Sequence, residues 1–521
     1  MRLRLALVSC VALAACSNGS SGKTHTVPTL PWGSFRHDAN NSGSGGGINQ
    51  NKGNVTLTSW STVSTVPEIS ATISTPVIDN ESNVFIGTSD GVVSFDKSGK
   101  LRWYVNECAA TTPPSRGIPG TPGPSVLIGS VSSSVTVQGG GSVVFGAEPN
   151  GRGGVGGLFF LQEKHNQVSC VWVVPETGDV GEMSGIRSSP QTQVYALDLS
   201  LQTIYVGGQE GYLRTINGNG TRRWQFPALQ PFGGALTSTP AVGSNGSIYV
   251  TTPEGFLQGV DSSGKALWPP VAIGIPPEAP LQQSPAVNTT IYAIGAESAL
   301  FGINQDATLK FVYPPNAPVL GSPSFLAQTV DTGSLSIADT VIYMVDQEGV
   351  LYGVSDTSGQ IVNIQRCTND VGLSCRTDSC PSGQTCKNNK CQSDSGGSSS
   401  GIDCTPDSCV AAADNKGTCE VFTTGVQPIT SSGSITVETS PAVSGDLFAV
   451  VGTTDGRVCA RALDTTVPGI DKPGDTDQND PWFTGDGCIQ LPDDGPILSS
   501  PAIGTSGRIY VTTASGIYVI Q

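Results

Sequence analysis

The sequence predicts an all-β fold built from one repeated unit, and three features indicate it. A Ser/Thr-Pro element followed by a small or apolar residue recurs about eight times along the chain. Each copy precedes short runs rich in β-branched and aromatic residues, which Gly, Asp and Asn turns separate. Several units then carry Asp or Asn, Gly and Trp at one constant spacing. In a repeat protein of this kind, we expect function to lie in a surface that many copies form together rather than in one catalytic cluster.

The Ser/Thr-Pro element marks the beginning of each unit. After Pro76, apolar runs at 84–87 and 92–95 enclose a Gly turn, which is typical of an antiparallel hairpin. The same order after Pro190 and Pro240 predicts three antiparallel strands in each unit and a fourth strand at the aromatic residue. The clear copies of the element lie at Pro76, Pro240, Pro285, Pro441 and Pro501. The weaker copies lie at Pro124, Pro190 and Pro323.

An aromatic residue follows the last turn of most units. In the first unit Asp96 and Gly99 are expected to form this turn, because Asp bonds its own backbone and Gly adopts positive φ. Trp103 then lies at a fixed place on the next strand. We interpret such residues as packing between neighbouring units rather than as a stacking platform for a ligand, because structural repetition itself predicts one per unit. The repeat aromatics are Trp60, Trp103, Trp172, Trp224, Trp268 and Phe311.

Four-stranded units of about 40 to 50 residues, repeated radially, predict a β-propeller. Eight elements predict eight blades, and seven is the alternative if the unit at Pro124 or Pro323 is irregular. The last unit, 501–520, stops after its third strand. Residues 55–60 precede the first element and include Trp60, so this N-terminal strand is expected to complete the last blade. Closure of the ring in this way removes the exposed edges of an open sheet.

The repeat resembles the pyrroloquinoline-quinone (PQQ)-like propeller family over roughly residues 30–521. The resemblance rests on the Ser/Thr-Pro-x-Val element, the Ile/Val-Tyr/Phe-Val strand, the Gly turn and the Asp-x-x-Gly-x-x-x-Trp hairpin. Residues 31–43 resemble the lead-in of that family and are expected to cross the ring near its start. BamB-like members are non-catalytic lipoproteins of outer-membrane protein assembly, whereas the quinoprotein dehydrogenases use PQQ and Ca²⁺. This chain has no adjacent cysteines and no Cys-x-x-Cys-His haem motif, so we expect neither cofactor and no enzyme.

The N-terminus predicts export and lipidation. Two arginines precede an apolar stretch, so residues 1–15 are interpreted as a signal peptide. The sequence Leu-Ala-Ala-Cys that ends at Cys16 resembles a bacterial lipobox, which implies acylation (palmitate) at Cys16 and a flexible tether over 16–30. The chain is therefore expected to be an outer-membrane lipoprotein of the bacterial envelope, facing the periplasm or the cell surface. Its net charge of −16 argues against nucleic-acid partners.

The cysteine count fits an oxidising compartment. Of 14 Cys, Cys10 leaves with the signal peptide and Cys16 is expected to carry lipid, which leaves an even number for disulfides. The candidate disulfide residues in the repeats are Cys108 with Cys170 and Cys459 with Cys488. The other eight candidates are Cys367, Cys375, Cys380, Cys386, Cys391, Cys404, Cys409 and Cys419. These eight predict a disulfide-rich insertion at 367–419 between two parts of the propeller, 31–366 and 420–521, and their connectivity stays open.

The sequence contains no recognisable set of catalytic residues. The only histidines are His25, His37 and His165, and no Ser/His/Asp set accompanies them. One acidic loop is a weak candidate for Ca²⁺ and is expected to be solvated; its carboxylates are Asp471, Asp475, Asp477 and Asp480. We therefore expect a non-catalytic, lipid-anchored scaffold that binds envelope proteins. A PQQ-dependent oxidoreductase and a surface adhesin or glycan-binding protein are the alternatives, and the oligomeric state is not predicted.

Overall fold

The repeated units form eight four-stranded antiparallel sheets, one for each blade, in this computed structural model. Eight blades, and not seven, are therefore confirmed. The structure describes residues 34–45, 57–61, 74–109, 125–138, 141–164, 167–174, 183, 185–193, 202–274, 283–331, 336–361, 364–368, 384–387, 390–393, 399–403, 418–422, 426–428, 436–444, 448–462, 488–492, 495–504 and 507–520.

Blades 1 to 5 take their four strands in sequence order, from the inner strand to the outer one. Blade 1 consists of Val77–Ile78, Val84–Thr88, Gly91–Phe95 and Leu101–Val105. Blade 2 consists of Thr136–Gln138, Ser142–Ala147, Gly157–Lys164 and Gln167–Val174. Blade 3 consists of Gln191–Gln193, Thr203–Gly207, Leu213–Asn217 and Arg222–Phe226. Blade 4 consists of Ala241–Val242, Ile248–Thr251, Phe256–Val260 and Val271–Ala272, and blade 5 of Ala286–Val287, Thr290–Ile294, Leu300–Asn304 and Leu309–Tyr313.

The last three blades draw on distant parts of the chain. Blade 6 consists of Ser324–Asp331, Ser336–Val345, Val350–Ser355 and Val426–Pro428. Blade 7 consists of Ala442–Ser444, Phe448–Gly452, Arg457–Ala462 and Cys488–Gln490, with Ser44–Gly45 parallel to its inner strand. Blade 8 consists of Ala502–Ile503, Ile509–Thr513, Gly516–Ile520 and Leu57–Ser61.

Smaller elements lie between the blade strands. The short strands Glu107–Cys108 and Val126–Leu127 pair with each other, and Ala296–Ser298 is a 3-10 turn. Between the third and fourth strands of blade 6, Ile364–Thr368 pairs with Thr418–Phe422, and Gln384–Lys387, Lys390–Ser393 and Ser399–Asp403 form a second small sheet.

The N-terminal strand closes the ring, as the sequence predicts. Leu57–Ser61 pairs antiparallel with Gly516–Ile520, and Trp60 lies opposite Ile517. Blade 8 is also joined to blade 1, because Thr512 Oγ1 donates a hydrogen bond to the carbonyl of Ser74 at 3.1 Å. Both ends of the propeller sequence therefore meet in one blade, and closure depends on a strand that is far from its neighbours in sequence.

The hydrophobic core lies between neighbouring blades. The second strand of blade 1, Val84–Thr88, is buried along its whole length. Between blades 5 and 6, Tyr292 and Ile294 pack with Ile342 and Met344. Burial on both faces explains why these strands are continuous apolar runs in the sequence rather than alternating ones.

Six of the eight elements have a hydroxyl at their first position, and it binds the second strand of its own blade; blades 5 and 6 have Gln283 and Gly321 there instead. In blade 3, Ser188 Oγ donates to the carbonyl of Gly207 at 3.0 Å and accepts the N–H of the same residue at 2.7 Å. The same exchange joins Ser133 with Gly146 and Thr439 with Gly452. This hydroxyl therefore fixes the start of the inner strand against its own sheet.

The second hydroxyl of the element joins successive blades at their inner ends. The backbone N–H of the equivalent residue in the preceding blade donates to it. The donor and acceptor pairs are Ser134 to Ser189, Ser189 to Thr239, Thr239 to Ser284, Ser284 to Ser322, Ser322 to Ser440 and Ser440 to Ser500, at 2.9–3.1 Å. These bonds connect blades 2 to 8 in succession. The proline that follows has no N–H, so it begins an inner edge strand without an unpaired donor.

One copy of the element differs from the sequence assignment. The inner strand of blade 2 follows Ser133-Ser134-Val135, so the assignment of this copy to Pro124 is wrong; Pro124 itself lies outside the described residues. The physical reason is that the two hydroxyls make the contacts. In blade 2, Ser133 and Ser134 make both contacts although no proline follows them, and the proline was the residue by which the element was identified in the sequence.

Loss of one hydroxyl of this series is expected to destabilise the ring. In Ser284→Ala the buried N–H of Thr239 has no acceptor, which we expect to lower the free energy of unfolding by about 1–3 kcal/mol. Ser284→Thr is the matched control, because Thr239 already holds the same position in blade 4; it keeps the acceptor, so we expect a loss smaller than that of Ser284→Ala by about 1 kcal/mol. Denaturant unfolding measures both variants, and equal losses would contradict the role of the hydroxyl.

Candidate functional site: the centre of the ring

The N-terminal lead-in runs along the inner strands of the ring, and it meets blades 4 to 7 rather than the start of the ring that the sequence suggested. Successive carbonyls of this segment accept backbone N–H groups from the inner strands of blades 4, 5, 6 and 7. The donors and acceptors are Val242 to Ala39, Val287 to Asn40, Phe325 to Ser42 and Val443 to Gly43, at 2.7–3.0 Å. Each donor stands two residues after the proline of its element. The segment thus occupies the inner edge of half of the blades.

Asn41 is the central polar contact of this lead-in. It is fully buried, and its Nδ2 donates to the carbonyl of Pro285 at 2.9 Å and to those of Thr239 and Pro240 at 3.3 Å. Its Oδ1 accepts from Gln191 Nε2 at 2.7 Å. One carboxamide therefore joins the inner strands of blades 3, 4 and 5.

Asp38 organises the turn of the lead-in. Its carboxylate accepts the N–H groups of Asn40 and Ser42 at 3.1 and 3.0 Å and the hydroxyl of Ser42 at 2.7 Å. His37 Nδ1 lies 3.2 Å from Asp38 Oδ2, so His37 is a hydrogen-bonding residue here. Burial disfavours the charged carboxylate, but hydrogen bonds from His37 and Ser42 outweigh burial and lower the pKa of Asp38 below its ordinary value.

Arg36 lies in the same segment and is almost fully enclosed, with 1% of its surface exposed. Its Nη2 donates to Ser324 Oγ at 2.6 Å, and Ser324 donates in turn to the carbonyl of Pro441. Burial lowers the pKa of Arg36 to about 9, because desolvation outweighs the attraction of Asp38. The centre of the ring therefore contains a cation in an environment poor in water.

The repeat aromatics contact the next blade where the structure describes their side chains fully. The indole N–H groups of Trp172, Trp224 and Trp268 donate to carbonyls in the outer turn of the following blade. These carbonyls belong to Gly218, Ser262 and Gln305, at 3.0–3.2 Å. Trp103 is buried beside Phe85, with ring centroids 5.8 Å apart. The side chain of Trp60 lies outside the described residues.

Glycines of the outer turns allow this close packing. Gly264 has φ +88°, and a Cβ there would lie 2.7 Å from Trp224 Cδ2. Gly359 has φ +65°, and a Cβ there would lie 2.4 Å from Phe311 Cβ. The Gly in the sequence pattern therefore serves both the turn and the aromatic of the preceding blade.

The two disulfides predicted in the repeats are present. Cys108–Cys170 joins the strand that follows blade 1 to the outer strand of blade 2. Cys459–Cys488 joins directly opposed residues of the third and outer strands of blade 7. Both therefore lie on the periphery of the ring, away from its centre.

Several predicted residues lie outside the part that the structure describes. They are Cys16, His25, His165, Cys375, Cys380, Cys404, Cys409, Asp471, Asp475, Asp477 and Asp480. For Cys367, Cys386, Cys391 and Cys419 only the backbone strands are described. Within the described ranges, His, Cys, Asp and Glu do not gather in groups that would hold a metal ion. No helix in those ranges is long and apolar enough to cross a membrane.

Sequence reasoning did not single out Arg36, Asp38 or Asn41. The available signal was the polar, Gly-rich and Asn-rich lead-in itself, which predicts a turn but not the blades that it contacts. The partners are about 150 to 400 residues away in the chain, so only the closed ring brings them together.

A family model described as outer membrane protein assembly factor BamB matches residues 60–365, more than half of the chain. No curated protein sequence matches. Among solved structures, quinohemoprotein alcohol dehydrogenase from Comamonas testosteroni is 13% identical with a TM-score of 0.50, over 95% of this chain and 81% of that chain. This likeness shows the fold alone.

Two further structures are similar at lower TM-scores. BamB from Moraxella catarrhalis is 14% identical with a TM-score of 0.36, over 74% of this chain and 95% of that chain. A europium-containing methanol dehydrogenase is 12% identical with a TM-score of 0.42, over 95% of this chain and 98% of that chain.

The turn at Asp38 is expected to make stability depend on pH in acid. A folded pKa below the ordinary value contributes stability that is present above the unfolded pKa and is lost as the pH falls through the folded pKa. We expect Asp38→Asn to lower the free energy of unfolding at pH 7 by roughly 0.5–1 kcal/mol, since the carboxylate is partly exposed. The difference should shrink below about pH 4. Denaturant unfolding at both pH values measures it; a constant difference would contradict the charged role of Asp38.

The contact between the outer turn of blade 4 and Trp224 can be tested by substitution of Gly264. Gly264→Ala places a methyl group against Trp224 at positive φ, and we expect a loss of roughly 2–4 kcal/mol in the free energy of unfolding. Gly151→Ala is the control, because a Cβ there meets nothing within 4 Å. If both variants unfold at the same denaturant concentration, the outer turn does not depend on this packing.

Proposed function

Because the chain belongs to the family of the outer membrane protein assembly factor BamB, we propose that it is a non-catalytic scaffold of the bacterial envelope that binds other envelope proteins. The observation that supports this most is the occupied centre of the ring. The lead-in satisfies the inner-strand donors of blades 4 to 7 with its own carbonyls, so these blades present their loops and rims to a partner. Rigid scaffolds with exposed loops are a common basis for protein recognition.

The connections between blades supply apolar surface for such contacts. Leu229, between blades 3 and 4, is 92% exposed, and Leu498, between blades 7 and 8, is 62% exposed. All blades share one strand order, so the connections from outer to inner strands lie on one face of the ring. Exposed leucines beside polar loops fit the mixed composition of protein interfaces.

The lipid anchor and the compartment are part of the same proposal. An acylated Cys16 would hold the ring at a membrane through the tether 16–30, which leaves the ring free to reach partners in the envelope. The acidic charge of the chain disfavours nucleic acid as a partner. The fold is shared with quinohemoprotein alcohol dehydrogenase, so a PQQ-dependent oxidoreductase remains the second candidate.

Site-specific photo-crosslinking tests the scaffold function. A photoreactive residue at Leu229 or Leu498 is expected to capture the same envelope protein repeatedly from intact cells. Ser263 is the control, because it is exposed in an outer turn on the opposite face and should give at most a tenth of that yield. Equal yields from both faces, or no recurring envelope protein, would contradict the proposal.

Two measurements separate the alternatives. Reconstitution of the purified protein with PQQ and Ca²⁺ is expected to give neither a change in cofactor absorbance nor dye reduction, and turnover would replace the scaffold by an oxidoreductase. Protease treatment of intact cells then tests the insertion 367–419. Its protection fits a periplasmic scaffold, and its cleavage favours the surface adhesin or glycan-binding protein.

A further inference from the structure

The guanidinium of Arg36 is buried without enough acceptors. Within the described residues, Nε and Nη1 have no hydrogen-bond partner, and only Nη2 is bonded, to Ser324 Oγ. With 1% of Arg36 exposed, bulk water does not reach these N–H groups. Buried polar groups in native proteins are almost always paired, so the missing acceptor requires an explanation.

Within the described residues the charge of Arg36 also has no directly bonded carboxylate. Asp38 is the acidic group whose field acts on Arg36, and it makes no hydrogen bond to the guanidinium. Its carboxylate oxygens are already bonded to His37, Asn40 and Ser42. A cation taken out of water without a direct partner is strongly unfavourable.

The surroundings of Arg36 hold the guanidinium in place. Gly43 has φ +63°, and a Cβ there would lie 2.7 Å from Arg36 Nη2 and 2.2 Å from Ser324 Oγ, so only glycine permits this approach. Ser324 is itself fixed by its bond to the carbonyl of Pro441. The cation is therefore preorganised between the lead-in and blades 6 and 7, and no described residue accepts a hydrogen bond from Nε or Nη1.

We propose that the centre of the ring encloses one small anion, of the size of a halide, against Nε and Nη1 of Arg36. A monovalent anion supplies both the missing acceptor and the missing negative charge. In a site that excludes water, this attraction is much stronger than on the surface. A compact anion is favoured over a larger oxyanion because Arg36 is 1% exposed and even a Cβ at Gly43 would lie only 2.7 Å from its Nη2.

Enclosure of an anion has a consequence for stability. The site needs the lead-in packed against blades 6 and 7, so a bound anion stabilises the folded ring and not the unfolded chain. Thermal unfolding of the full chain is therefore expected to shift upward with chloride and to saturate. The shift is expected to be on the order of 1–2 °C relative to gluconate at equal ionic strength, because gluconate is too bulky to be enclosed.

Two variants separate the buried site from general salt effects. In Arg36→Gln the cation is lost, so chloride and gluconate should give the same unfolding temperature. In Arg223→Gln an exposed arginine of the outer strand of blade 3 is lost, and the chloride effect of wild type should remain. Persistence of the chloride effect in Arg36→Gln, or its absence in wild type, would overturn the proposal.

A direct measurement keeps the proposal testable if Arg36→Gln does not fold. Crystals of the wild-type protein grown or soaked in bromide are expected to show an anomalous peak in contact with Nε or Nη1 of Arg36. A map with bromide elsewhere and none at Arg36 would overturn the enclosed anion, and it would leave the envelope scaffold untouched.

Discussion

Each blade from 2 to 7 is held to the next at its inner end by a backbone N–H that donates to a Ser or Thr hydroxyl. The adjacent hydroxyl binds the second strand of the same blade, as Ser188 does with Gly207. Two neighbouring residues thus fix both the strand within a blade and the blade within the ring.

At the outer end of the blades, aromatic residues make the contacts between neighbouring blades. The indole of Trp224 spans the gap to blade 4, where it donates to the carbonyl of Ser262 and packs on Gly264. Between the two ends, apolar strands buried on both faces supply the core. Neighbouring blades are thus joined by small polar contacts at their inner ends and by large aromatic contacts at their outer ends.

The lead-in binds the same position of several blades, because the repeat presents equivalent groups at their inner edges. Inner strands of blades 4 to 7 present equivalent N–H groups, and four carbonyls of one short segment accept them. The strand Leu57–Ser61, which closes the ring, comes from the same N-terminal part of the chain as this segment. The segment also brings Arg36 into an enclosed place, where its charge has more effect than anywhere on the surface.

The sequence by itself predicted eight blades, with seven as the alternative, because the blade unit is a local pattern repeated at a fixed period. It also indicated the closing strand, a lead-in across the ring and the two peripheral disulfides, because each stands at a definite place relative to that repeat. It misplaced the copy in blade 2, since recognition followed the proline while Ser133 and Ser134 make the contacts. Only the tertiary structure decided what Arg36, Asp38 and Asn41 do. Their partners belong to several blades that are distant in the chain, and a pattern along the sequence carries no information about which residues meet at the axis of a closed ring.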